Sequence, residues 1–298
     1  MWTRRRTLLG LGASLLPVTA HAQASVIVKL SATSGGCPVA GLTIGGHGPY
    51  RCLLDTGAAM SLIRRSIGED LKLHRAQNEL GYGLGGTELH TVFLADDVVF
   101  GDAFHMRHMA LRGAEQLIDQ EIDGVLSAGV VTAAPAEFDF AAGALRYFPG
   151  SAPDLTGYQA VPAEWRSDTD DSSLKIYVEI TIDGIALTAL VDTGSNASLY
   201  LSAATVRANR LWDKYSTFHD VQMRGGVTGT VLNDRRVSGA RLQMGPIIRD
   251  DVDVTLGNPR QIDALGTAGV DAILGMGVLR HYSLALPDHK RFYMKPAV

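Results

Sequence analysis

Short runs of alternating apolar and polar residues, bounded by glycines, recur along most of the chain and predict short β-strands. Leu42-Thr43-Ile44-Gly45-Gly46 and Ile180-Thr181-Ile182-Asp183-Gly184 each read as a strand entering a tight turn, with a second apolar strand following. Phe138-Asp139-Phe140 to Tyr147-Phe148, and Tyr282 to Tyr293, each read as strand, turn and strand. Helix is confined to two short segments, 64–73 and 202–212, with Ser66 and Ser202 as the expected N-caps. The pattern predicts an all-β fold.

The pattern also repeats. Arg51-Cys-Leu-Leu-Asp-Thr-Gly-Ala-Ala-Met-Ser-Leu-Ile63 aligns with Thr188-Ala-Leu-Val-Asp-Thr-Gly-Ser-Asn-Ala-Ser-Leu-Tyr200, which places Asp55 and Asp192 in register, 192 − 55 = 137 positions apart. Downstream, Ile122 to Val130 aligns with Val270 to Val278. There Val125-Leu126 and Ile273-Leu274 are expected core pairs, Asp123 and Asp271 recur as turn or strand-end residues, and Ser127 stands where the second copy has Gly275. Duplication on this scale fixes architecture more firmly than local propensity does. It predicts two halves of like fold, 23–149 and 174–298. The connection between them, 150–173, is rich in Ser, Pro and Asp and reads as a solvated linker.

Charge and composition narrow the function. The chain is 46% hydrophobic and 19% charged with a net charge of −4, and it has no basic cluster of the kind that neutralises phosphates, so nucleic acid is not an expected partner. Residues 1–22 read as an export signal. Arg4, Arg5 and Arg6 precede a short apolar stretch and the small-x-small site Ala20-His21-Ala22, an arrangement that resembles a twin-arginine signal. A periplasmic or secreted protein without a membrane anchor is expected. The two cysteines, Cys37 and Cys52, are compatible with a disulfide or with two buried thiols. His105 and His108 read as an exposed polar face of a strand, and the chain implies no metal site and no cofactor.

Two copies of Asp-Thr-Gly, each after an apolar pair and before a matching strand, resemble the aspartic peptidases of the pepsin and retropepsin superfamily, over nearly the whole chain beyond residue 22. The resemblance implies two retropepsin-like β-barrel halves related by a pseudo-twofold axis, each donating one aspartate to a dyad at the seam. Two such carboxylates share one proton and so offer a general base and a general acid together, without a metal or a covalent nucleophile. Gly57 and Gly194 are expected to let backbone approach the carboxylates, and Thr56 and Thr193, by resemblance, to bond across the seam. Ser195 is expected to donate a hydroxyl hydrogen bond to Asp192, leaving the charge on Asp192 and the proton on Asp55.

Two Gly-rich segments follow the aspartates, starting 81 − 55 = 26 and 225 − 192 = 33 positions on. That short spacing resembles retropepsins, with Tyr82, Gly83 and Gly85 on one substrate-binding flap and Gly225 and Gly226 on the other. The expected activity is endoproteolysis of a peptide or unfolded protein by a single chain acting as an internal pseudo-dimer. The alternative is a catalytically silent periplasmic peptide-binding protein on the same fold.

Overall fold

The structure, a computed structural model, describes residues 25–76, 78–83, 86–117, 119–167, 173–225, 230–261 and 269–297. The export signal read at 1–22 lies outside the described residues. Almost all regular structure is β, as the alternation predicts, and it forms two closed barrels and one shared sheet.

In the first barrel the strands follow one another as Pro38–Ile44, His47–Leu54, Gly124–Leu126, Leu62–Arg64, Phe104–Ala114 and Gly86–Phe100. Gly86–Phe100 then pairs back onto Pro38–Ile44 through Leu42↔Phe100 and Ile44↔Val98, which closes the ring. The second barrel runs Leu174–Ile182, Ile185–Val191, Ala272–Leu274, Leu199–Leu201, Ile247–Leu256 and Thr230–Met244. It closes in the same way through Ile182↔Leu242. Closure leaves neither ring with a free edge.

The turns that start each barrel need left-handed backbone at both central residues. Gly45 and Gly46 supply it in the first half (φ 55° and 78°), Asp183 and Gly184 in the second (φ 46° and 85°). Inward-facing Leu42, Ile44, Phe93, Phe100 and Leu111 fill one ring, and Ile180, Leu242, Val254 and Leu256 the other, all at most 3% exposed. Burying each such side chain contributes about 1.5–3 kcal/mol.

The third sheet joins the halves. Its order is Val26–Lys29, Ala144–Tyr147, Ala136–Asp139, Tyr282–Asp288, Arg291–Pro296 and Gln159–Val161, three strands from each side arranged symmetrically about the middle. The central pairing, Ala136↔Leu286 to Asp139↔Ser283, crosses between the halves.

Two expectations need correction here. The stretch 150–173 is not merely a linker: Gln159–Val161 enters the shared sheet, and Ala163–Ser167 pairs with Leu174–Ile182. Strands of three and five residues separated by Pro162 carry too little alternation to register as a pattern. The first helix, Arg65–Asp70, starts after Arg64 with no side-chain cap, so Ser66 is not its N-cap. Ser202 does cap Ala203–Ala208, its Oγ accepting from the Thr205 N–H at 3.1 Å. Cys37 and Cys52 are both free and buried, the thiol alternative rather than the bridge. His105 and His108 lie on the strand Phe104–Ala114, where His108 Nδ1 meets Asp96 Oδ1 at 2.6 Å on the surface.

Candidate active site

Each Asp-Thr-Gly segment begins where a barrel strand ends. His47–Leu54 and Ile185–Val191 deliver Asp55 and Asp192, and each aspartate's N–H donates to the strand behind it, Asp55 to the Leu126 carbonyl and Asp192 to the Leu274 carbonyl, both at 3.0 Å. The apolar pairs Val125-Leu126 and Ile273-Leu274 thus form the backing predicted for them, pairing in parallel with the strands that carry the acids. Asp123 and Asp271 are structural. Asp123 accepts from the Arg51 N–H at 2.9 Å and Asp271 from the Thr188 N–H at 3.0 Å, the same bond in each half.

The two threonines brace the seam reciprocally. Thr56 Oγ1 donates to the Val191 carbonyl at 2.7 Å while accepting from the Thr193 N–H at 3.1 Å. Thr193 Oγ1 donates to the Leu54 carbonyl at 2.6 Å and accepts from the Thr56 N–H at 3.1 Å. All four bonds are buried and cross between halves, where leaving one polar group unpaired costs about 1–3 kcal/mol.

That brace brings the Asp55 and Asp192 carboxyl groups into hydrogen-bond contact with each other. Each also accepts two backbone N–H bonds: Asp55 Oδ1 from Gly57 and Ala58, both at 2.8 Å, and Asp192 Oδ1 from Gly194 at 2.8 Å and Ser195 at 3.1 Å. The glycines matter across the seam rather than within their own loops. A Cβ on Gly57 would stand 2.7 Å from the Asp192 carboxyl carbon, and one on Gly194 would stand 2.5 Å from that of Asp55.

Burial raises both aspartates above the ordinary carboxylate range. Asp192 is raised well above it, with the charge of Asp55 adding to burial. For Asp55 the rise from burial is opposed by the hydrogen bond from Asp192, by the Gly57 and Ala58 amides, and by the Lys175 ammonium. The two carboxyls therefore titrate as one coupled pair that shares a proton. Ser195 reaches Asp192 through its backbone N–H. Its hydroxyl lies beside Gly275, where an added Cβ would come within 3.0 Å of it.

Ser127 is accommodated where the second half needs Gly275. Ser61 Oγ donates to Ser127 Oγ at 3.2 Å and accepts from the Ser127 N–H at 3.0 Å.

Both expected flaps are hairpins at matching places. Glu79–Gly83 pairs with Gly86–Phe100 from Glu79↔His90 to Gly83↔Gly86, and His219–Gly225 pairs with Thr230–Met244 from His219↔Arg236 to Gly225↔Thr230. Tyr82, Gly83 and Gly225 are thereby placed near the hairpin tips, while Gly85 and Gly226 lie outside the described residues. The first hairpin is tied to its barrel by the Glu79–Arg112 ion pair and by His90 Nδ1 at 3.1 Å from the Gly113 carbonyl. At the base of the second, the Arg235 guanidinium sits 4.2 Å from the Trp212 ring centre and 3.8 Å from that of Phe218.

Two residues beside the dyad escaped the sequence reading. Cys37 Sγ donates to the Gly194 carbonyl at 3.5 Å, and burial, aided by Asp192 and Asp55, pushes its thiol up to about 12. Lys175 is buried at 8% exposure and acts on Asp55. Their positions in the duplicated strands were visible; nothing in the sequence marked either as adjacent to the acids. Among the described residues, no cluster of three or more His, Cys, Asp or Glu side chains is disposed to hold a metal.

Comparison with curated proteins yields no match. Residues 40–129, from the first barrel strand through Asp55 and the first flap to the helix behind them, match the family model of the aspartyl proteases.

Proposed function

We propose that the chain is an aspartic endopeptidase in which a water held between Asp55 and Asp192 attacks a peptide carbonyl. The observation that carries this reading is the approach of the two carboxyl groups to each other across the seam, where burial and mutual charge make them share one proton. The ionised member of the pair takes a proton from the attacking water. The protonated member gives its proton to the carbonyl oxygen and so neutralises the charge developing there. The proton count balances, and collapse of the tetrahedral adduct returns a proton to the leaving amine. The two hairpins flanking the dyad fit a site that closes over an extended peptide and excludes water.

The aspartyl protease match over the first barrel supports the reaction class. The internal duplication supports the second aspartate, since Asp192 repeats the geometry of Asp55 bond for bond. Export to the periplasm or beyond, from the reading of residues 1–22, belongs to the same proposal. An unfolded protein substrate should be cleaved at mildly acidic pH, with activity falling at least about a thousandfold in Asp55→Asn and in Asp192→Asn separately. Binding of peptides with no cleavage by the wild-type chain would instead favour the silent peptide-binding protein.

A further inference from the structure

The chain entering each barrel touches the catalytic loop of the other half. Pro38–Ile44 is entered from the turn 33–37, where Gly36 carries the left-handed backbone (φ 83°) and the Thr33 N–H donates to the Cys37 carbonyl at 2.9 Å. Two residues of that turn, Gly35 and Cys37, meet two residues of the Asp192 loop. Cys37 Sγ donates to the Gly194 carbonyl at 3.5 Å, and a Cβ on Gly35 would stand 3.0 Å from Asn196 Nδ2 and 3.3 Å from Asn196 Cβ. In the other half, Ser173 leads into Leu174–Ile182, and its Oγ donates to the Ala59 carbonyl at 2.8 Å.

The two crossings use the same pair of positions in opposite senses. Gly35 and Ser173 each stand nine residues before the isoleucine that ends the strand (44 − 35 = 9 and 182 − 173 = 9). Asn196 and Ala59 each stand four residues after the catalytic aspartate (196 − 192 = 4 and 59 − 55 = 4). At one crossing the loop supplies the side chain and the entering chain has none; at the other the entering chain supplies it and the loop has only a methyl. Side chains from both partners would overfill a crossing, and side chains from neither would leave the loop unheld. Building on the peptidase reading, we propose that Gly35 with Asn196, and Ser173 with Ala59, are complementary keys that seat each catalytic loop against the opposite half, with Asn196 and Ser173 as positioning residues.

Seating matters because these loops carry the amides that hold the acids. The Gly194–Ser195 peptide accepts from Cys37 at its carbonyl and donates from its N–H to Asp192 Oδ1 at 3.1 Å, one residue before Asn196. In the first loop the Ala58 N–H donates to Asp55 Oδ1 at 2.8 Å, one residue before Ala59. A loop displaced at its key takes that amide away from the carboxylate. The keys differ in tightness. Ser173 is buried at 4% exposure beside the helix Ala128–Val131, where a Cβ on Gly129 would stand 2.8 Å from its Oγ, whereas Asn196 keeps an exposed side.

The test is a suppressor pair. Gly35→Ser places a side chain against Asn196, and Gly35→Ser/Asn196→Ala rebuilds there the serine-over-alanine arrangement of the other crossing. On a quenched-fluorescence peptide, kcat should fall about tenfold or more in Gly35→Ser with KM changed by less than about threefold, and should return to within about threefold of the wild type in the double variant. Ser173→Ala, which gives up the buried bond to Ala59, should lower kcat to a like degree. Wild-type kcat in Gly35→Ser or in Ser173→Ala, or a double variant no better than Gly35→Ser alone, overturns the proposal. Gly35→Ala is the milder variant if Gly35→Ser does not fold. Urea melts of the wild type, Gly35→Ser, Asn196→Ala and the double variant read the same contact without turnover: Gly35→Ser should cost less stability when Asn196 is already alanine, and strict additivity overturns the keys. A wild type that cleaves nothing defeats the peptidase reading, while the coupling in the melts still judges the keys.

Discussion

Gly194 belongs to one half of the molecule and Asp55 to the other, yet a single methyl on Gly194 would lie 2.5 Å from the Asp55 carboxyl carbon. The motif glycine is therefore set by its partner loop. Gly194→Ala should push the carboxyl groups apart, lowering kcat by about a hundredfold or more and costing about 1–3 kcal/mol of stability by overpacking. Gly57→Ala, whose added Cβ would stand 2.7 Å from the Asp192 carboxyl carbon, should behave alike. Steady-state kinetics with denaturant melts of both variants would check this; wild-type kcat in either would contradict it.

The threonine brace should be cooperative. Thr56→Val and Thr193→Val each remove a donor and an acceptor from buried bonds across the seam. Each should cost about 1–3 kcal/mol, and the double variant less than the sum, since losing one side chain's two bonds loosens the seam that aligns the other two. A double-mutant cycle from urea melts measures the coupling, and strict additivity would show that the threonines act separately.

Proton linkage gives a signed prediction for stability. Burial and the neighbouring charge hold Asp192 well above its ordinary value of 3.8, so the folded chain grips this proton more tightly than the unfolded chain does. The resulting stabilisation is complete below the unfolded value and fades as pH rises through the folded one. Asp192→Asn removes that loss, so its Tm should fall less than the wild type's as pH is raised above about 5. Parallel slopes for the two proteins would refute the linkage.

Exchanging the residues behind the two catalytic loops should be asymmetric. Ser127→Gly gives up one hydrogen bond with Ser61 and should cost about 0.5–1.5 kcal/mol. Gly275→Ser places a Cβ 2.4 Å from the Ala197 carbonyl oxygen and should cost several times more. Thermal melts of the pair decide it, and equal losses would show that the loops are interchangeable.

What the sequence disclosed follows from where its signals are strong. The aspartates, the threonines and the backing strands sit in segments that repeat as written, so alignment of the chain with itself found them, whereas the two hairpins were found from Gly-rich segments at similar spacing after the aspartates. Gln159–Val161 was missed because three residues beside Pro162 give no alternation to detect. The bonds that Ala58 and Ser195 make to the carboxylates come from the backbone amides both residues share, which a comparison of their side chains does not reveal. The place of Cys37 beside the dyad was missed because it depends on the chain crossing to the opposite loop, and such proximity leaves no trace in local pattern.

The central sheet has a consequence for how the site responds to dilution. With Ala136–Asp139 zipped to Tyr282–Asp288, both acids lie on one covalent thread, and the proposed function then asks for no second molecule. The two active-site walls meet at an effective concentration set by the fold, not by the test tube. Specific activity should therefore stay constant as the enzyme is thinned to the lowest measurable level, where an assembly of separate subunits would come apart and fall silent.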